Sequence, residues 1–214
     1  MAAHDLLLLH ASRASVDLVA EYYLKEAPGF TPVNILDEGV MGDLRDQNWS
    51  SAVARLRDLI VQAHQSYGVR SALVTCSAIG PEHMEQIRAG IPVRTIKIDE
   101  PMLRLAASQN AGSVALVATF PSTVDTSLAW LRHFRREMEI EVVCDPAALQ
   151  ALLHGDREEH DQRLRAAAAE AARRGVSGIV LAQVSMARLA PEIRDQTGLV
   201  VWDSLTTSLA GVGG

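Results

Sequence analysis

One cysteine of this chain stands where a thiol can do chemistry. In Leu73-Val74-Thr75-Cys76-Ser77-Ala78-Ile79-Gly80-Pro81 a short apolar run gives way to small polar residues, and Pro81 opens a helical pattern. The run reads as the end of a buried strand. Proline in a first helical turn gives up an N–H that has no partner there anyway. Cys76 is therefore expected in a strand-to-helix turn, under the positive end of a helix dipole and beside free backbone N–H groups. That setting favours the thiolate, a base toward an acidic C–H or a nucleophile toward an activated double bond. The N–H groups of Ser77 and Ala78 suit a carboxylate or an enolate oxygen. A small hydrophobe filling a strand end is the competing reading of the same residue.

A second stretch repeats the pattern. Val180-Leu181-Ala182-Gln183-Val184-Ser185-Met186 matches Leu73 to Ile79 in kind, and Leu6-Leu7-Leu8-Leu9-His10-Ala11-Ser12 parallels Ala115 to Ser122. The repeat implies two α/β lobes of about 105 residues each. They divide as 1–98, with Cys76, and 99–214, with Gln183, the C-terminal helix being free to pack back on the first lobe. A cleft between such lobes would set Cys76 opposite Gln183. A glutamine amide neither gains nor loses a proton at ordinary pH, but it donates hydrogen bonds.

Other polar side chains cluster on the same turns. Ser12, Thr119, Ser122, Thr123 and Ser185, with the backbone N–H groups of Val184 and Ser185, are candidate substrate ligands. Each is equally open to a role as a cap or turn residue. His10 is placed either to tune Cys76 or to serve as a hydrogen-bonded strand-end histidine. Arg13 either pairs with a carboxylate or points to solvent. His64, His83, His133, His154 and His160 fall among charges on helical stretches and read as surface. Asp99-Glu100 reads as a helix cap, and Cys144 as a strand residue away from any turn.

The elements that must position these residues alternate along the whole chain. Strands are expected at 6–9, 33–36, 73–74, 93–98, 113–118, 139–144, 178–181 and 198–202. Helices are expected at 16–27, 49–67, from 81, 102–109, 126–137, 156–174 and 203–209, with 37–49 as a glycine-containing loop. Such alternation means parallel sheet flanked by helices, and ligands then bind beyond the carboxyl ends of the strands.

Composition narrows the function classes. The chain has 214 residues, 48% hydrophobic, with 20 basic against 26 acidic residues and a net charge of -6. That excess of acid disfavours nucleic acid or an anionic membrane as partner. Two cysteines make no disulfide framework and show no metal-ligand spacing, which fits a reducing, cytoplasmic setting. No stretch approaches the ~20 apolar residues of a membrane span, and no glycine-rich phosphate loop is present.

Four stretches, Thr75-Cys76-Ser77-Ala78, Ile98-Asp99-Glu100-Pro101-Met102, Ala118-Thr119-Phe120-Pro121-Ser122-Thr123 and Gly178 to Ala187, resemble the aspartate/glutamate/hydantoin racemase superfamily. The resemblance covers nearly the whole chain. It implies two pseudo-symmetric α/β lobes, each a mainly parallel sheet flanked by helices, with the active site in the cleft between them. It also implies a small carboxylate or amino-acid derivative as substrate, no cofactor, and in typical members one cysteine from each lobe beside the reacting carbon. Cys76 matches the first-lobe cysteine. Gln183 stands at the second, and there the chain departs from the pattern. The resemblance thus implies an isomerase or racemase working through a Cys76 thiolate. The alternatives are a one-cysteine decarboxylase of the arylmalonate type, a maleate-type cis–trans isomerase, or a ligand-binding homologue without turnover. The superfamily's one-cysteine decarboxylases keep a cysteine resembling the second-lobe one, whereas here the first is kept. A homo-oligomer is compatible with this architecture.

Overall fold

Four strands wholly of one orientation make each of two sheets in the computed structural model, which describes residues 5–109 and 112–212. The first sheet is built from β1 (Leu6–His10), β2 (Pro32–Leu36), β3 (Ser71–Val74) and β4 (Arg94–Lys97), in the order β2-β1-β3-β4. Its helices are α1 (Val16–Glu26), α2 (Gly39–Arg45), α3 (Trp49–Tyr67) and α4 (Pro81–Arg88). The second sheet is built from β5 (Val114–Ala118), β6 (Ile140–Cys144), β7 (Gly178–Leu181) and β8 (Val200–Asp203), in the order β6-β5-β7-β8. Around it lie α5 (Glu100–Gln109), α6 (Pro121–Phe134), α7 (Pro146–Leu153), α8 (Arg157–Arg173), α9 (Ala190–Thr197) and α10 (Ser204–Val212). All pairings are parallel. The α/β class and the repeated topology are those expected from the alternation.

Contacts divide the chain into two compact units, Met1–Ile98 with Ser208–Gly214, and Asp99–Thr207. The division falls inside α10. Tyr23 of α1 donates its hydroxyl to Ser208 Oγ at 3.0 Å, so the end of that helix is fastened to the first unit.

The central strands are apolar because both of their faces are covered. Every residue of β1 and β5 is buried, whereas the edge strands β2 and β6 are half exposed. In the second unit Leu164, Ala168 and Ala171 of α8 pack against Ala115, Val117, Ile179 and Leu181. Alanines on that face let the helix lie close to the sheet. Gly178 is required at the start of β7, since a Cβ there would stand 2.4 Å from the Trp202 ring.

Hydrogen bonds fix the correspondence between the units. Thr75 N–H donates to Leu9 O at 3.0 Å, and Ala182 N–H donates to Val117 O at 3.0 Å. The residues that follow, Cys76 and Gln183, therefore hold equivalent positions. Asp37 N–H donates to His10 O as Asp145 N–H does to Ala118 O. His10 thus corresponds to Ala118, one residue short of the sequence match with Thr119.

Several local expectations change. The stretch 37–49 contains α2, whose start is held by Gly39 N–H donating to Asp37 Oδ1 at 2.8 Å. The N-cap of α3 is Asn48, one residue before the expected start; its side chain accepts from Ser51 N–H. Helix α6 begins at Pro121 rather than Thr126, which places Ser122 and Thr123 in its first turn. Helix α9 occupies a stretch that had no expected element; a proline near its start and Gly198 in the left-handed conformation (φ 67°) bound it. No helix among the described residues is long and apolar enough to cross a membrane.

Candidate active site

Cys76 lies two residues beyond β3, in the six-residue turn before Pro81, and is 7% exposed. Ser77 and Ala78 beside it are half-buried, and Ile79 closes the turn by burying its side chain. The turn is anchored on its β1 side by a polar cluster. His10, the last residue of β1, is fully buried. Its Nε2–H donates to Asn34 Oδ1 at 3.1 Å, which leaves Nδ1 as the acceptor, 3.1 Å from Thr75 Oγ1 and 3.3 Å from Ser15 Oγ. Ser15 donates its hydroxyl to Ser12 O at 2.9 Å and lies 3.2 Å from Thr75 Oγ1. Burial pushes the imidazole pKa below its ordinary value, against the opposing effect of its hydrogen bond to Asn34. A neutral ring follows at neutral pH. His10 holds Thr75, the residue just before Cys76, in place.

The second unit builds a different half-site on the same frame. Thr119 directs both its N–H and its hydroxyl at Gln183 Oε1, at 2.7 and 2.9 Å. With its oxygen held twice, the Gln183 amide is oriented and presents its NH2 as a donor. Val184 to Leu189 then form a 3₁₀ segment, with Val184 and Ser185 half-buried in its first turn. Five residues past Gln183, Arg188 engages both carboxylate oxygens of Asp161 on α8. His160 Nδ1 lies 2.7 Å from Asp161 Oδ1. Burial alone would raise the Asp161 pKa; its bonds to Arg188 and His160 outweigh that and hold it below the usual carboxylate range. The 3₁₀ segment is therefore pinned at both ends, by Thr119 and by Asp161.

The structure sorts the remaining candidates. Ser12 caps a single 3₁₀ turn, Arg13–Ser15, by accepting from Ala14 N–H. Ser122 is exposed, and its carbonyl accepts from Thr126 Oγ1, whereas Thr123 is buried on the inner face of α6. Arg13 is exposed beside Glu38. Cys144 ends β6 beside Asp145, the N-cap of α7, so it is not remote from a turn as expected. Its thiol pKa is raised by burial and then by the Asp145 charge, which opposes thiolate formation. His160 is fully buried, not at the surface; the charges around it on α8 hid its inward face. His83 is half-buried and stacks on Trp49 with ring centroids 3.9 Å apart. Asn34, Ser15, Thr75, Asp161 and Arg188 escaped sequence reasoning. Their partners lie up to 65 residues away in the chain, so no local pattern marks them. Among the described residues no group of three or more His, Cys, Asp or Glu is arranged to hold a metal ion.

The model of the Asp/Glu/hydantoin racemase family matches residues 30–210. The chain belongs to this family. As an Asp/Glu/hydantoin racemase family member it shares its fold with proteins of very different sequence. An aspartate racemase homologue from Pyrococcus horikoshii OT3 superposes with a TM-score of 0.71 at 14% identity, over 98% of this chain and 97% of that one. Allantoin racemase from Klebsiella pneumoniae gives 0.68 at 17% identity, over 98% and 86%. A variant of arylmalonate decarboxylase in liganded form gives 0.62 at 14% identity, over 98% and 90%. At such identities the likeness is one of fold. No curated protein matches the sequence. Within this chain a thiol at position 76 is paired with an amide at the equivalent position 183.

Proposed function

We propose that this chain is a cofactor-independent isomerase of a small carboxylate or amino-acid derivative, working from one thiolate, Cys76. What carries the reading is the register: Cys76 and Gln183 stand at equivalent positions of the two units, one a thiol and the other an amide whose oxygen is already held by Thr119. The Cys76 thiolate removes the proton from the carbon next to the carboxyl, and the electron pair moves onto the carboxyl oxygen. Backbone N–H groups at Ser77 and Ala78 stabilise the charge that develops there. In the second unit Gln183 offers a hydrogen-bond donor, Nε2, with Ser185 and Thr119 bordering its turn. Cys76 then returns the proton on that same face, either to the carbon it left, which gives exchange without net change, or to a conjugated atom of the delocalised intermediate, which shifts the double bond and gives the isomer. Gln183 supplies no proton, so the chemistry is one-sided. The site works in the cytoplasm, without nucleic-acid or membrane partners.

A lyase is the second reading. A single thiol that protonates the carbanion left by CO2 loss needs no partner acid, and the fold likeness extends to arylmalonate decarboxylase. Proton exchange in D2O, followed by NMR over aspartate, glutamate, hydantoins, maleate and arylmalonates, tests both. Cys76-dependent deuterium uptake without CO2 release supports the isomerase. CO2 release supports the lyase. Absence of any Cys76-dependent reaction leaves a binding protein.

A further inference from the structure

We propose that this chain associates with a second copy of itself by packing the exposed face of α1 from one copy, antiparallel, against the exposed face of α6 from the other. The inference is independent of the chemistry at Cys76.

The two helices hold equivalent places, α1 after β1 and α6 after β5. Each packs one side on its own sheet, through Val19 and Tyr23 of α1 and through Val124, Ser127 and Leu131 of α6. The opposite sides are bare. On α1 the exposed residues include Asp17, Glu21 and Leu24. Steps of four and three residues place them on one stripe. On α6 the exposed residues include Asp125, Ala129 and Arg132, again in steps of four and three. Arg136 follows two residues past the end of α6 and is almost wholly exposed.

Run in opposite directions, the two stripes are complementary. With Glu21 opposite Arg132, Leu24 falls opposite Ala129, because each pair is separated by the same step. Asp17 then falls toward Arg136, and Lys25, next to Leu24, toward Asp125. Opposite charges meet on both sides of the contact, and a large apolar side chain sits over a small one between them, as ridges of one helix fill grooves of another. The parallel alignment has no such match. It sets Asp17 against Asp125 and Leu24 against Arg132.

These charges are not neutralised within the chain, as those of α8 are. There Arg163 pairs with Asp145 and Glu159, Arg165 with Glu158 and Glu192, and Arg174 with Glu141 and Glu170. Among the described residues Asp17, Glu21, Asp125 and Arg132 form no ion pair. Lys25 lies 3.0 Å from Glu26, and Arg136 only 3.9 Å from Glu137. The helix dipoles account for Asp17 in the first turn of α1 and for Arg132 in the last turn of α6. They account neither for Glu21 in mid-helix nor for Leu24, which is 63% exposed. Packing on a second copy accounts for both. Leu24 supplies the apolar contact, and the charges set direction and register.

The test is sedimentation equilibrium of the full-length protein at low salt, from about 1 μM to 1 mM chain, the range of weak specific contacts. The wild type should show a mass above that of the monomer. Raising salt from about 50 to 500 mM should weaken the association about fivefold or more, since the paired charges are at the surface. Glu21→Lys and Arg132→Glu should each weaken it about tenfold, because like charges then meet. The double variant restores the pair with its signs exchanged and should return to within about threefold of the wild type. Both side chains are exposed, and circular dichroism verifies that each variant is folded. A monomer throughout, an assembly indifferent to salt or to either charge reversal, or a double variant as weak as the singles would overturn the proposal.

Discussion

Cys76 and Gln183 sit on the same scaffold and are held in opposite ways. The thiol side chain lies in a turn whose preceding residue, Thr75, is fixed by His10, a ring kept neutral by burial. The amide is itself fixed, its oxygen engaged by two donors from Thr119, and its 3₁₀ segment is tied down by Arg188 on Asp161. The first half-site carries a thiol, a group that can transfer a proton; the second orients a group that never transfers one. Repetition of a fold thus preserves an address without preserving the chemistry at it.

The comparison breaks first at Cys76. Cys76→Ala should lower turnover on any substrate by about 10²- to 10⁴-fold, measured as deuterium uptake. Gln183→Ala should cost far less, because a hydrogen bond rather than a proton is lost. Equal losses at the two positions would mean that both act as acid–base groups.

Next in size is the anchoring of the second half-site. Arg188→Met leaves the Asp161 carboxylate, 10% exposed, beside His160 without its cation. We expect a loss of about 2 kcal/mol in urea unfolding, on the scale of a broken, partly buried pair. An unchanged midpoint would show that other contacts hold the segment.

The first unit has its own measurable fastener. Burial raises the Tyr23 phenol to about 12, opposed by its hydrogen bond to Ser208. The folded pKa lies above the unfolded value of 10.0, so this stability is fully present below pH 10 and is lost as pH rises toward 12. Tyr23→Phe should flatten the fall in unfolding free energy over that window, which at this shift amounts to about 2–3 kcal/mol. His10 acts in the opposite direction. Its folded pKa is lowered from 6.5, so its contribution is present above that pH and is lost as pH falls through the folded value. A His10→Gln variant should therefore lose less stability on acidification below pH 6.5 than the wild type.

The smallest effect belongs to Thr119. Thr119→Val removes the hydroxyl donor to Gln183 Oε1 and keeps the backbone one, which should cost about 1 kcal/mol in ligand affinity or stability.

The sequence reading reached the strands and the address of both half-sites because those are local facts. Apolar runs, Pro81 and the repeated strand-to-turn pattern lie within a few residues of each other. It failed at α2, where Gly39 and Gly42 resemble a loop until Asp37 caps the helix start. It failed at His160, whose charged neighbours on α8 made an inward face look outward. It also failed to bring together His10, Asn34 and Thr75, or Arg188 and Asp161, because parallel pairing and helix packing join residues far apart in the chain. Ser122 and Thr123 were misplaced for a simpler reason: Pro121 carries the same helix-start signal as Pro81 and begins the helix five residues earlier than expected.

The most direct test of the one-sided site is the stereochemistry of proton exchange in D2O, followed by NMR and chiral chromatography, for the wild type and Gln183→Cys. We predict that the wild type takes up deuterium in a Cys76-dependent manner with its substrate's configuration retained, and that Gln183→Cys adds loss of optical purity. Rapid racemisation by the wild type would contradict the account, since it would require a second acid that neither Gln183 nor neutral His10 provides.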